Sequence, residues 1–269
     1  MSEKKIFPEP LEALIVVLVT FSLLFLLIFV YGKLSGAEDA VEMMNNARAI
    51  YIFGGLLFVI FPGVYARVKG YSLQRVFRLN PVPSGMILWS LVVGLSLAVV
   101  GDELDRIVQI VIPSPEWLNE MLLPLKAKST LDWVKVILGA VLIAAFSEEF
   151  LFRGFLQKSL EIKGDVTRAV LLTSITWALI HQNPYWAIQI FIVGIIIGFV
   201  AWRADSIYPS MTVHALYNFI GVIFVNMDEQ NGLVQWYTWK DHVNPLLVIV
   251  ALAVLIYALR AMNRIYRHP

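Results

Sequence analysis

The chain contains no cysteine. That excludes disulfides, thiol nucleophiles and thiolate metal sites. Charge is also scarce: Asp, Glu, Lys and Arg make up 15% of the residues, against about a quarter in soluble domains. The formal net charge is +1, so bulk charge implies no nucleic-acid partner. No internal repeat or low-complexity stretch stands out, and no polar stretch is long enough to make a separate soluble domain. What fills the chain is apolar: 59% of residues are hydrophobic and the mean hydropathy is +0.73. These residues lie in runs of the roughly 20 residues that a helix needs to cross a bilayer. The runs are solidly apolar and do not alternate, which excludes a β-barrel. The 269 residues are therefore expected to form one all-α membrane domain with the lipid bilayer as its surroundings.

Eight transmembrane helices are expected, at about 11–31, 49–68, 84–101, 134–158, 168–182, 184–202, 207–226 and 244–262. The run from Leu11 to Val30 follows Lys4 and Lys5. It is longer than a signal-peptide core and lacks a small-residue cleavage site after it, so it reads as the first span. With the N-terminus inside, the inner segments hold 14 of the 21 basic residues, and segment 66–83 carries Arg67, Lys69, Arg75 and Arg78 with no acid. The outer segments hold Glu38, Asp39, Glu42, Asp102, Glu103, Asp105, Asp228 and Glu229. This asymmetry places both termini in the cytoplasm, which an even number of spans satisfies. Segment 102–133, with Pro113, Pro115 and Pro124, reads as short amphipathic pieces on the outer surface. The compact, cysteine-free chain suggests a prokaryotic cytoplasmic membrane.

Three polar constellations interrupt the apolar runs. The first is Ser147-Glu148-Glu149-Phe150-Leu151-Phe152-Arg153-Gly154. Each ionised group at membrane depth costs at least ~2.5–3.5 kcal/mol on insertion scales. Glu149 and Arg153 are four apart with the acid first, the favoured pairing on one helix face. A structural ion pair accounts for these two, but Glu148 points about 100° away and is left over. The second constellation ends at His181, after Trp177, with Gln182, Asn183 and Pro184 following. The third is His214 and Asn218, one turn apart on one face. Taken singly, His181 reads as a neutral core histidine near a helix end. The pair of His214 and Asn218 alone would read as a hydrogen-bonded packing contact between helices.

Depth favours one shared site. Glu148 precedes the inner loop near 161–166 by about a dozen residues, and His181 follows it by about a dozen to fifteen. At ~1.5 Å per residue the two reach similar heights in an antiparallel hairpin. Asn218 stands comparably far beyond the inner loop at Asp205, with His214 one turn nearer the cytoplasm. Four polar residues on three helices can thus meet in one layer.

The residue types suit hydrolysis. A buried carboxylate of raised pKa takes a proton from water near neutral pH. An imidazole orients that water or shares the proton, and histidine and asparagine are donors for a developing oxyanion. Ser147 and Thr212 neighbour motif residues in sequence, so they face elsewhere and read as packing residues. Two histidines with glutamates also make a plausible zinc set, the minority alternative here, because HExxH spacing is absent. A proton-relaying transporter ranks last, because the polar groups cluster at one height and do not line a path.

The ordered set resembles the CAAX protease and bacteriocin-processing family, which includes the type II prenyl endopeptidases. Glu148-Glu149-x-x-x-Arg153 is similar to the family's EExxxR. His181 matches the FxxxH histidine, with Trp177 where Phe often stands, and His214-x-x-x-Asn218 matches the third motif. The likeness covers about residues 134–226. Gly194-x-x-x-Gly198, Arg203 and Ser206 resemble the family's helix-loop-helix before that motif. The resemblance implies an intramembrane, glutamate-dependent endopeptidase with no obligatory metal or other cofactor. It implies that Glu148 activates water with help from His181, that Asn218 with His214 stabilises the oxyanion, and that Glu149 and Arg153 support the site. The implied substrate is a prenylated protein that loses its C-terminal tripeptide. The alternatives are a family protease acting on non-prenylated peptides or membrane proteins, and a non-enzymatic membrane scaffold on the same fold.

Overall fold

A computed structural model describes residues 7–36, 48–115, 117–228 and 230–265, without the side chains of residues 48–53 and 119. Of the charges that set the expected orientation, Lys4, Lys5, Glu38, Asp39, Glu42, Glu229 and Arg267 lie outside the described residues. The order begins with α1 (Pro10–Ser35), α2 (Arg48–Val68), α3 (Leu73–Val76), α4 (Ser84–Val111) and α5 (Trp117–Glu120). A 3₁₀ turn at Leu123–Leu125 leads to the long helix α6, over 130–163. Then follow α7 (Val166–Ile180), α8 (Ala187–Ala204), α9 (Ile207–Val225), α10 (Gly232–Tyr237), a small hairpin and α11 (Pro245–Ile265). The hairpin pairs β1 (Thr238–Trp239) with β2 (His242–Val243).

The chain is all-α apart from that hairpin, and each expected span falls on a helix. Among the described residues, α1, α4, α8, α9 and α11 are long and apolar enough to cross a membrane by themselves. Their outward side chains are large and hydrophobic: Leu11, Leu88, Leu95, Leu246 and Ile249 are all well exposed. Polar groups are inside. Ser90, Ser159 and Ser174 are buried and donate to the carbonyls of Met86, Phe155 and Val170, each four residues back on its own helix. In a bilayer every such hydroxyl needs an internal partner, and this is the nearest one.

Several boundaries differ from expectation for identifiable reasons. Helix α4 runs ten residues beyond 101. The acids at 102–105 end the apolar run but not the helix, because Asp102 pairs with Arg106 (3.3 Å) and Asp105 accepts from Gln109 (2.6 Å) along its surface. Only 112–129 of the expected surface segment therefore lies between the helices. Helix α6 starts at Thr130, where the Ser129 side chain accepts from the Asp132 N–H as an N-cap. Helix α7 ends at Ile180, so His181 is its C-cap and not part of its body.

Helix α6 is not uniformly α-helical. It carries π-helical turns at Ile137–Ile143 and Phe150–Leu156, on either side of Ala144–Glu149. Such turns shift the register of a helix face and concentrate at functional sites. Here they bracket the acid pair.

One end of the bundle is tied by Arg78, which is buried in left-handed backbone (φ 52°). It is ion-paired with Glu161, donates to Asp205 Oδ1 (3.2 Å) and reaches the Arg153 carbonyl (3.3 Å). Beside it, Phe77 stacks on Phe150 with ring centroids 3.8 Å apart. Gly154 permits this approach, since a Cβ there would sit 3.0 Å from the Phe77 backbone. At the start of α1, Tyr65 and Tyr71 both donate to Glu12 Oε1. Burial and the Glu12 carboxylate push the Tyr71 phenol up to about 12, so it stays protonated and a donor.

Candidate active site

The two adjacent acids of α6 divide as their helical phase requires. Glu149 is fully buried and bonded to Arg153 Nη1 at 2.9 Å. Arg153, also fully buried, donates through Nη2 to the Gly194 carbonyl of α8 (3.3 Å). The expected i,i+4 pair is therefore present, and it anchors α6 to α8. Glu148 points elsewhere and keeps 18% of its side-chain surface open. Of the two carboxylates, only Glu148 keeps accessible surface.

His214 of α9 stands between them. Its Nδ1 lies 3.0 Å from Glu149 Oε1, and its Nε2 lies 4.0 Å from Glu148 Oε2. A carboxylate only accepts, so Nδ1 carries the proton and Nε2 faces Glu148. The distance of 4.0 Å is too long for a direct hydrogen bond and leaves both groups able to address one intervening oxygen. His181 is oriented by the same logic. Its Nδ1–H donates to the Trp177 carbonyl at 2.7 Å, which leaves Nε2 free.

Trp177 of α7 joins these parts. Its indole N–H donates to Glu148 Oε2 at 2.6 Å. Its face lies 4.4 Å from the Arg153 guanidinium carbon. Its ring meets His181 and His214 edge-on, at centroid distances of 5.1 and 5.4 Å.

Glu148, Glu149, Arg153 and His214 thus form one connected group, with His181 joined through Trp177. Asn218 is placed differently. Its Nδ2 donates to the Ala140 carbonyl at 3.0 Å, within the first π-helical turn of α6. Among the described residues no hydrogen bond joins it to Glu148 or His214. One of its two amide hydrogens is committed to the main chain and the other remains. His214 is bonded to Glu149, while Asn218, one turn further along α9, is bonded to the Ala140 carbonyl. The role of Trp177 was not legible as a role, although the sequence shows a ring N–H where Phe often stands.

Among the described residues, no three His, Asp or Glu side chains are gathered so that they could hold an ion. The Nδ1 atoms of His214 and His181 are bonded to Glu149 and to a backbone carbonyl, which orients both rings.

The helical bundle thus holds a buried acid–arginine pair beside a second acid that keeps accessible surface. Residues 130–220, about a third of the chain, match the family model "Type II CAAX prenyl endopeptidase Rce1-like". Over this matched core, which contains all three motifs, the chain is similar to that family. The family matched is one of proteases, and five of the described helices are long and apolar enough to cross a membrane. Comparison with curated proteins and with solved structures finds no match.

Close packing holds the site together. A Cβ on Gly194 would lie 3.0 Å from Trp177 Cε3 and 3.1 Å from Ser174 Cβ. Gly194→Val is therefore expected to push the indole off Glu148. Overpacking of this kind costs about 1–3 kcal/mol, so a lower Tm with activity reduced by at least about tenfold is expected. Unchanged turnover would show that the α7–α8 contact does not set the site.

Proposed function

We propose that the chain is an intramembrane endopeptidase in which Glu148 draws a proton from water that attacks a peptide carbonyl. The observation that carries this reading is the setting of the Glu148 carboxylate. One oxygen is held by the Trp177 N–H at 2.6 Å and faces His214 Nε2 at 4.0 Å, while the side chain keeps an opening to solvent. A positioned carboxylate of this kind acts as a general base, and the same group can return the proton to the leaving amine. His181, with Nε2 free, assists with the water. His214, held by Glu149 through Nδ1, presents Nε2 to the reacting oxygen and is charged when that atom is protonated, which suits a developing oxyanion. Asn218 contributes its remaining amide hydrogen. Glu149 and Arg153 hold the frame. No metal or other cofactor takes part in this scheme.

The proposed topology has eight crossings and both termini in the cytoplasm, with the active site opening to that side. The basic inner loops support it. The proposed membrane is a prokaryotic cytoplasmic membrane. The substrate class proposed is a prenylated protein that loses its C-terminal tripeptide, which the family match favours. The second reading, a protease for non-prenylated peptides, rests on the same site.

Purified protein in detergent, given fluorogenic farnesylated and plain versions of one CaaX peptide, separates the two. The prenyl reading predicts faster cleavage of the farnesylated peptide by about tenfold or more, since buried apolar groups discriminate on that scale. Equal rates would favour the second reading. No cleavage of either peptide would count against both.

A further inference from the structure

We infer that Trp177 is the positioning residue of this site, holding the Glu148 carboxylate through its indole N–H. The inference rests on the reading of Glu148 as the base and goes one step beyond it. Trp177 is 4% exposed and touches Glu148, Arg153, His181 and His214. Its Nε1–H donates to Glu148 Oε2 at 2.6 Å, a short contact typical of a donor facing a charged acceptor. Its carbonyl fixes the His181 ring at 2.7 Å. Its π face covers Arg153 at 4.4 Å, so the cation that neutralises Glu149 is also held by this ring. The ring packs closely on Gly194 of α8, where a Cβ would lie 3.0 Å from its Cε3.

The chemistry follows from the donor count. An indole has one N–H and no acceptor, so it can bind a carboxylate oxygen but cannot take its proton. It fixes one oxygen of Glu148 and leaves the other free to address water. A phenylalanine at this position would fill much of the same space and keep the face over Arg153, but it would leave Glu148 without this donor. The indole N–H is therefore a device of this sequence for aiming the Glu148 carboxylate.

The test compares wild type, Trp177→Phe, Glu148→Gln and the double variant on the fluorogenic farnesylated CaaX peptide. The plain peptide serves instead if wild type prefers it. Trp177→Phe is expected to lower kcat by about tenfold or more with KM within about twofold, because the contact orients the base and does not bind substrate. In the Glu148→Gln background the same change should add nothing, because its effect passes through Glu148. Full activity of Trp177→Phe, a rise in KM alone, or an equal further loss in the Glu148→Gln background would each overturn the inference while leaving Glu148 as the base. Retained activity of Glu148→Gln would overturn the underlying reading itself. If Trp177→Phe fails to fold, the sulfur isostere of tryptophan at position 177 keeps the ring volume and removes only the N–H.

A second readout needs no substrate. With the eight tryptophans labelled at the indole nitrogen, the cross-peak missing from Trp177→Phe identifies this N–H. It should shift upfield when Glu148 is replaced by Ala. An unmoved peak would show that no such hydrogen bond exists.

Discussion

Glu148→Gln is expected to lower kcat by on the order of 10²–10⁴-fold, the usual weight of general acid–base catalysis, with KM little changed. The substitution keeps the size of the side chain and its ability to accept from Trp177, so the fold and the 2.6 Å contact survive. What is lost is the basic oxygen. Glu148 is also the one member of the acid pair with open surface, so no neighbouring carboxylate can take its place. Glu149 is sealed in by Arg153 and His214. A Gln variant that turns over at the wild-type rate would mean that the reacting water is activated elsewhere.

Arg153→Met is expected to be the most damaging substitution for the fold. Arg153 and Glu149 are both fully buried. Removing one partner of a buried pair costs about 3–5 kcal/mol, because the remaining charge is stranded. Met keeps much of the length and apolar volume, so the loss is chiefly that of charge and hydrogen bonds. The Gly194 carbonyl loses its donor, and Trp177 loses the cation against its face. Thermal unfolding in detergent should show a large fall in Tm, with activity lost alongside. Arg153→Lys should fall between, since an ammonium restores the charge but not the reach to both Glu149 and Gly194. An Arg153→Met protein that melts within about a degree of wild type would show that the pair is not holding the bundle, since even 1 kcal/mol shifts Tm by about 2–4 °C.

Much of this site was readable from the sequence, because helical spacing is a strong ruler. The four-residue step from Glu149 to Arg153 predicted their contact, and the one-residue step predicted that Glu148 would face elsewhere. Comparing heights across loops correctly brought α6, α7 and α9 together around the acids. Spacing carries no information about partners of similar depth, however. His214 lies at a height where it could meet Asn218, Glu148 or Glu149, and only packing decides that Nδ1 meets Glu149. The π-helical turns of α6 leave no mark on an unbroken apolar run, so the Asn218–Ala140 contact was out of reach. Charge misled at the end of α4. The apolar run stops before the acids, although the helix continues through them because Asp102 and Asp105 bond along its surface. The hairpin at 238–243 was missed because two-residue strands have no periodicity to read.

The account stands most directly on the rate of the purified protein after exhaustive treatment with a chelator, measured beside Glu148→Gln on the same peptide. It predicts that the stripped wild-type protein cleaves at its full rate while Glu148→Gln stays at background. A stripped protein that falls silent and recovers when zinc is returned, or a Gln variant that keeps cutting, would contradict it.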